Sequence, residues 1–137
     1  MKPIATHRLF AAIGLALATS VQAGPRTQDR PHIEPVMRLQ PNAAADGTYD
    51  LLIYGDIGDT WWGDSVTAKS VVEQLNALDA TVSTINVRIN SYGGSVADGL
   101  AIYNALKRHK AAKAVTVDGV AMSSASLIAM AGDTREI

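Results

Sequence analysis

The sequence predicts an α/β domain built from repeated β-α-β units on a parallel sheet. Three observations carry that expectation. Apolar stretches of strand length alternate with stretches whose apolar residues recur at helical spacing, from Thr48 to the end of the chain. The order reads strand, helix, strand, helix, strand, helix, with a further strand starting at Thr134. Two of the strand-to-helix passages are small-residue turns, "NSYGGS" (Asn90–Ser95) and "DGVAMSS" (Asp118–Ser124).

Length and composition bound the reading. With 137 residues the chain suits one domain, which would bury about two thirds of its unfolded surface. Apolar residues make up 47%, enough for a core, and a formal net charge of -1 carries no nucleic-acid footprint. The absence of cysteine removes disulfides and thiolate metal sites. His7, His32 and His109 are scattered without ligand spacing, so neither a metal site nor a cofactor is expected.

Residues 1–23 look like a targeting segment rather than part of the fold. Lys2 and Arg8 precede the apolar run Leu9–Ala18, and Val21–Ala23 offers small residues for cleavage, the pattern of a secretory signal. Ten apolar residues are too few to span a bilayer, which needs about 20. All five prolines fall within the first 41 residues, and residues 24–47 show no apolar period. They read as an extended linker, with the ordered domain, residues 48–137, beginning near Thr48.

The elements then follow in order. "TYDLLIYGDI" (Thr48–Ile57) is a near-continuous apolar run, as expected of a buried strand. Ser65 or Thr67 can cap a helix with Ala68, Val71, Leu75 and Leu78 on one face. "TINVRIN" (Thr84–Asn90) alternates as a strand does. The next helix sets Val96, Leu100, Tyr103 and Leu106 on one side and ends in Lys107, Arg108 and Lys110, cations that complement the helix dipole. Ala114–Val117 is the third strand, Ser123 onward the third helix, and Gly132 its expected C-cap.

In successive right-handed β-α-β units the loops leaving the strand C-termini share one edge of the sheet, which sets the two turns side by side. Gly93 and Gly94 allow close backbone approach and outward N–H groups. A serine among the unpaired N–H groups of a helix start, next to such a turn, is the arrangement that an acyl-transfer tetrahedral intermediate requires. Taken singly, a Gly-Gly turn is a tight bend and a serine at a helix start is a cap. On these grounds the two readings stand level, and Ser123 and Ser124 are equally eligible.

"INSYGGSVADGLAIYNALKRH" (89–109) and "DGVAMSSASLIAMAGD" (118–133) resemble the Clp protease proteolytic subunit family, and "LLIYGDIGDTWWGDSVTAKSVVEQL" (51–75) is most similar to its phage head-maturation branch. The resemblance implies a ClpP/crotonase-like fold and a serine endopeptidase. The fifth residue of the family's G-x-A-x-S turn, here Ser123, is the implied nucleophile. The implied oxyanion donors are the N–H groups of Gly94 and Ser124, and Gly93, Ser95 and Val96 are the implied substrate-binding residues, lining a groove for an extended peptide. Tyr92 departs from the family, which often has proline there. The family's general-base histidine and orienting aspartate follow the serine in chain order. They are expected beyond Ile137, so the chain reads as the N-terminal part of the enzyme, inactive alone. The family further implies a homo-oligomeric ring, a protein or peptide substrate, a cytoplasmic or prohead location and, in the Clp branch, an ATPase unfoldase partner. The signal-like segment keeps an exported Ser-Lys signal-peptide peptidase in view, and a non-catalytic assembly module is the reading of another class.

Overall fold

A computed structural model of the chain describes residues 31–59 and 65–137. The signal-like segment, His7 and the Trp61–Trp62 pair lie outside the described residues. Five strands and three helices follow in the order β1 (Val36–Pro41), β2 (Thr48–Tyr54), α1 (Ala68–Asn76), β3 (Thr84–Ser91), α2 (Val96–Arg108), β4 (Ala112–Ala121), α3 (Ser124–Ala129) and β5 (Thr134–Glu136). The sheet order is β1-β2-β3-β4-β5. From β2 to β5 all pairings are parallel, and β1 lies antiparallel along β2.

Each helical crossover moves one strand further in the same direction. With a constant right hand, that puts all three helices on one face of the sheet. Burial agrees with this placement: Leu51, Ile53, Ile85, Val87, Ile89 and Val115 point into the core, where Val71, Leu75, Ile102, Leu106 and Ile128 meet them. The alternate positions Asp50, Tyr54, Asn86 and Arg88 form a polar opposite face. Asp50 there accepts hydrogen bonds from Asn42 and Asn86.

The linker reading fails over part of its length. Val36–Pro41 is a strand in register with Tyr49–Tyr54, and Met37 and Leu39 pack against the core. Six residues that begin and end beside prolines give too short an alternation to stand out. The prolines are tolerated because this is an edge strand, which needs ladder bonds on one side only. The domain therefore starts ahead of Thr48. Residues 33–35 already pack on Gly55, where an added Cβ would lie 2.8 Å from the Pro35 Cα.

The helix starts are decided by caps. Thr67, not Ser65, accepts the Ser70 N–H and opens α1. Ser95 accepts the Asp98 N–H and opens α2, while the Asp98 carboxylate reaches across to accept the Ala68 N–H at 2.8 Å. One Ser-x-x-Asp box thus fixes the starts of two helices. The buried stripe of α2 is Gly99, Ile102, Ala105 and Leu106, rotated from the expected face: Val96 is 61% and Leu100 49% exposed. The rotation follows from Gly99, whose missing side chain lets α2 approach α3 so closely that an added Cβ would sit 2.7 Å from the Ser124 Cβ. Gly132 is not the C-cap of α3; Met130 is, and Gly132 instead admits the close passage of Val115.

Candidate active site

The two small-residue turns leave β3 and β4, which are neighbours, so the expected juxtaposition is present. Past β2 the chain bends at Gly55, φ +83°, and reaches Ile57, which bridges to Gly94. In that bridge the Ile57 N–H donates to the Gly93 carbonyl at 3.0 Å and the Ser95 N–H donates to the Ile57 carbonyl at 2.8 Å. The Gly93 N–H is taken by the buried Ser91 hydroxyl at 3.0 Å, and the Ser95 carbonyl accepts the Gly99 N–H. Gly93 and Ser95 are therefore engaged at both N–H and C=O. Gly94 is the residue of the three whose N–H and C=O have no hydrogen-bond partner among the described residues, and the bridge geometry turns both away from Ile57. Both glycines sit at positive φ, +96° and +149°, where a side chain is strained.

From the other side, β4 delivers the serines. The Met122 N–H donates to the Ser91 carbonyl at 3.0 Å, which fastens the β4 exit to the β3 exit. Ser123 then adopts φ 50° and ψ -127°, and it is the described non-glycine residue with positive φ. Such a conformation costs about 1–3 kcal/mol and persists only where the surroundings impose it. Here they do so at close range: a Cβ on Gly93 would lie 2.6 Å from the Met122 carbonyl oxygen, 2.8 Å from the Ser123 Cβ and 3.1 Å from the Ser124 nitrogen.

This geometry separates the two serines, which local pattern left level and the family resemblance divided in favour of Ser123. Ser123 stands at the N-cap position of α3 but makes no side-chain cap bond, and it is exposed. Ser124 is 1% exposed, with its Cβ against Gly99 and its hydroxyl buried without a hydrogen-bond partner. A reagent or peptide can reach the Ser123 hydroxyl and not that of Ser124. What Ser124 offers is its N–H, which has no acceptor among the described residues. At six residues α3 is too short to bring much macrodipole, so the local N–H groups carry the electrostatics of the turn.

The remaining implied residues divide. Val96 is open and flanks Gly94, whereas Ser95 spends its hydroxyl on the Asp98 cap. Gly93 and Ser95 thus shape the turn, and Gly94 and Val96 are the members available to a ligand. His109 is not part of this site: it closes the far end of the 13-residue α2, about 20 Å from the glycines at 1.5 Å per residue. Its Nδ1 accepts the Ala111 N–H, and burial, with Lys113 nearby, lowers its pKa. Sequence reasoning missed the brace from Ile57, for which a parallel-sheet pattern gives no signal. It also missed the contact of Gly93, rather than Gly94, with the serine turn at Met122–Ser124.

Comparisons with known proteins converge on this region. A family model described as Clp protease matches residues 57–136, which include both turns. An ATP-dependent Clp protease proteolytic subunit of Deinococcus radiodurans is 42% identical over 72 residues, 51% of this chain and 35% of that protein. The corresponding subunit of Ligilactobacillus salivarius is 38% identical over 84 residues, 60% of this chain and 40% of that protein. Among solved structures, ClpP1 from Listeria monocytogenes superposes with a TM-score of 0.52 at 31% identity, over 61% of this chain and 46% of that one. The chain therefore spans less than half the length of these relatives.

Proposed function

The chain belongs to the Clp protease family, and from that premise we propose that it carries the nucleophile and oxyanion turns of a serine endopeptidase acting on protein substrates. The observation that carries the reading is Ser123: a serine at a helix start, forced to positive φ, exposed and not used as a cap, beside two N–H groups that have no internal acceptor. A capping serine would stand at the same helix start in the β region and accept an N–H with its side chain; Ser123 does neither of the last two.

The reaction runs in two halves. The Ser123 Oγ attacks the scissile carbonyl carbon, its proton passes to a general base, and the carbonyl oxygen becomes an oxyanion received by the Gly94 and Ser124 N–H groups. The C–N bond then breaks as the proton is given to the leaving amine. Water, activated by the same base, frees the acyl group and restores the serine. An extended substrate lies along the open side of Gly94 by backbone pairing, with Val96 beneath it. The base and its orienting partner come from a histidine and an aspartate C-terminal to the serine, as the family resemblance implies. We further place the protein in homo-oligomeric rings in the cytoplasm or an assembling prohead, with prohead maturation as the phage-type substrate class and an ATPase partner only if it works as the Clp branch does.

The test joins this chain at Ile137 to the C-terminal portion of the Ligilactobacillus salivarius relative, which supplies the base. Hydrolysis of a fluorogenic peptide by this completed protein, lost on Ser123→Ala and kept on Ser124→Ala, is the expected result. Hydrolysis that survives Ser123→Ala would overturn the reading.

A further inference from the structure

On the open face of the sheet, away from the helices, lies a cluster that the peptidase chemistry does not use. Ile89 is in register with Val117, and the next registered pair is Ser91 with Ala121. β4 therefore advances from Val117 to Ala121 while β3 advances only from Ile89 to Ser91, and Asp118, Gly119 and Val120 bulge opposite Asn90. The Asn90 side chain fills the gap: its Oδ1 accepts the Val120 N–H at 3.3 Å, and a Cβ on Gly119 would lie 2.6 Å from that oxygen. At the start of the bulge the Asp118 carboxylate accepts from Arg88 Nε at 2.9 and 3.1 Å, from Arg88 Nη2, and from the Tyr54 hydroxyl at 2.6 Å. One carboxylate thus ties β4 to β3 and β2. Its side chain is 18% exposed, although Arg88 is 52% exposed.

We infer that Asp118, clamped by Arg88 and Tyr54, is a positioning residue for the nucleophile. Side chains along a strand alternate faces, so a bulge one residue longer or shorter would turn every following residue to the other face. Only five positions separate Asp118 from Ser123. The clamp fixes where β4 leaves register, Asn90 fixes how much chain is looped out, and the Ser91–Ala121 pair with the Met122–Ser91 bond fixes where register resumes. Ser123 then arrives at its strained angle with its hydroxyl outward. An ordinary surface ion pair contributes little to stability. Here the positioning itself is what matters, since a displacement of about 1 Å at a nucleophile can cost about 10²-fold in rate. The inference rests on the Ser123 reading for its meaning but not for its structural half.

Two measurements separate these halves. In the 137-residue chain, amide hydrogen exchange of Met122 and Ser126 reports the turn, because their N–H groups donate to Ser91 and Ser123. In the completed protein, the inactivation rate by a fluorophosphonate reports the nucleophile. Asp118→Asn should speed exchange at both amides by about tenfold or more and lower kinact at least tenfold, with KI little changed. Arg88→Lys, which keeps the charge and loses the fork, should fall between Asp118→Asn and the parent. Asp50→Asn, a matched change on the same sheet face, should leave both readouts alone. If Asp118→Asn loosens the whole sheet, Arg88→Lys decides: local loosening with reduced kinact supports the clamp. Exchange and kinact equal to those of Asp50→Asn would overturn it. A parent protein that the probe does not label would fail the serine reading, while the exchange arm would still judge the clamp.

Discussion

Removing the Ser124 hydroxyl should make this protein more stable. The side chain is 1% exposed, its oxygen has no hydrogen-bond partner, and its Cβ faces the bare Gly99 of α2. A buried polar group left unpaired costs about 1–3 kcal/mol of desolvation. Ser124→Ala returns that cost and leaves a void of one oxygen atom, which takes back a fraction of it. Alanine is also the better helix former, by a few tenths of a kcal/mol. The net expectation is a gain of about 1 kcal/mol, or about 4 °C in Tm for a domain of about a hundred residues. Urea denaturation should show a higher midpoint at an unchanged slope, since the surface exposed on unfolding is the same. A loss of about 1 kcal/mol or more would mean that the hydroxyl has a partner. The assignment of Ser124 as a backbone donor with an idle side chain would then be wrong.

Other outcomes follow from the same contacts. Gly94→Ala would place a Cβ 2.1 Å from the Ile57 carbonyl oxygen, so it should destabilise the domain by about 3 kcal/mol or more and read out first in Tm, not in kcat alone. Gly93→Ala presses on Met122 and Ser123 instead, and should cost more in inactivation rate than Ser95→Ala, which loses a cap worth about 1 kcal/mol. Limited proteolysis should leave a resistant core beginning at or before Ile33; a core beginning near Thr48 would mean that β1 is not held. Stability should fall with acid in two stages. His109 has a lowered folded pKa, through burial and then Lys113, so its contribution is present above about pH 6.5 and is lost as pH falls toward the folded value. His109→Asn, which keeps an acceptor for the Ala111 N–H, should remove that first stage. Asp118 and Asp98 are held below the usual carboxylate range, the first chiefly by Arg88 and the second chiefly by the Ser95 hydroxyl. Their contributions are present above about pH 4 and disappear as pH falls through the folded values, so Asp118→Asn should flatten the second stage.

What was legible in the sequence was whatever local pattern decides. The strands from Thr48 and Thr84, the α1 face and the order of elements follow from alternation and periodicity, because burial on one side imposes those periods. β1 was hidden because an edge strand buries half a face and tolerates proline at its ends. The α2 face was misjudged because Gly99 carries no hydrophobic signal, yet its absent side chain is what α3 packs against. At the site, the meeting of the two turns was readable from topology, whereas the choice of Ser123 over Ser124 came from the family resemblance and not from local pattern. The structural difference between them is a backbone angle at Ser123 and the burial of Ser124 against Gly99, both set by contacts far apart in the chain. The clamp was unreadable for a related reason: Arg88 and Asp118 are 30 positions apart, and their meeting depends on β3 and β4 lying side by side in one particular register.

The most direct measurement is where a fluorophosphonate attaches. The completed protein is treated with the probe, digested, and the modified peptide that spans Asp118–Asp133 is sequenced by mass spectrometry. A single adduct on Ser123, absent in Ser123→Ala and retained in Ser124→Ala, is the predicted result. An adduct on Ser124, or persistence of labelling in Ser123→Ala, would contradict it.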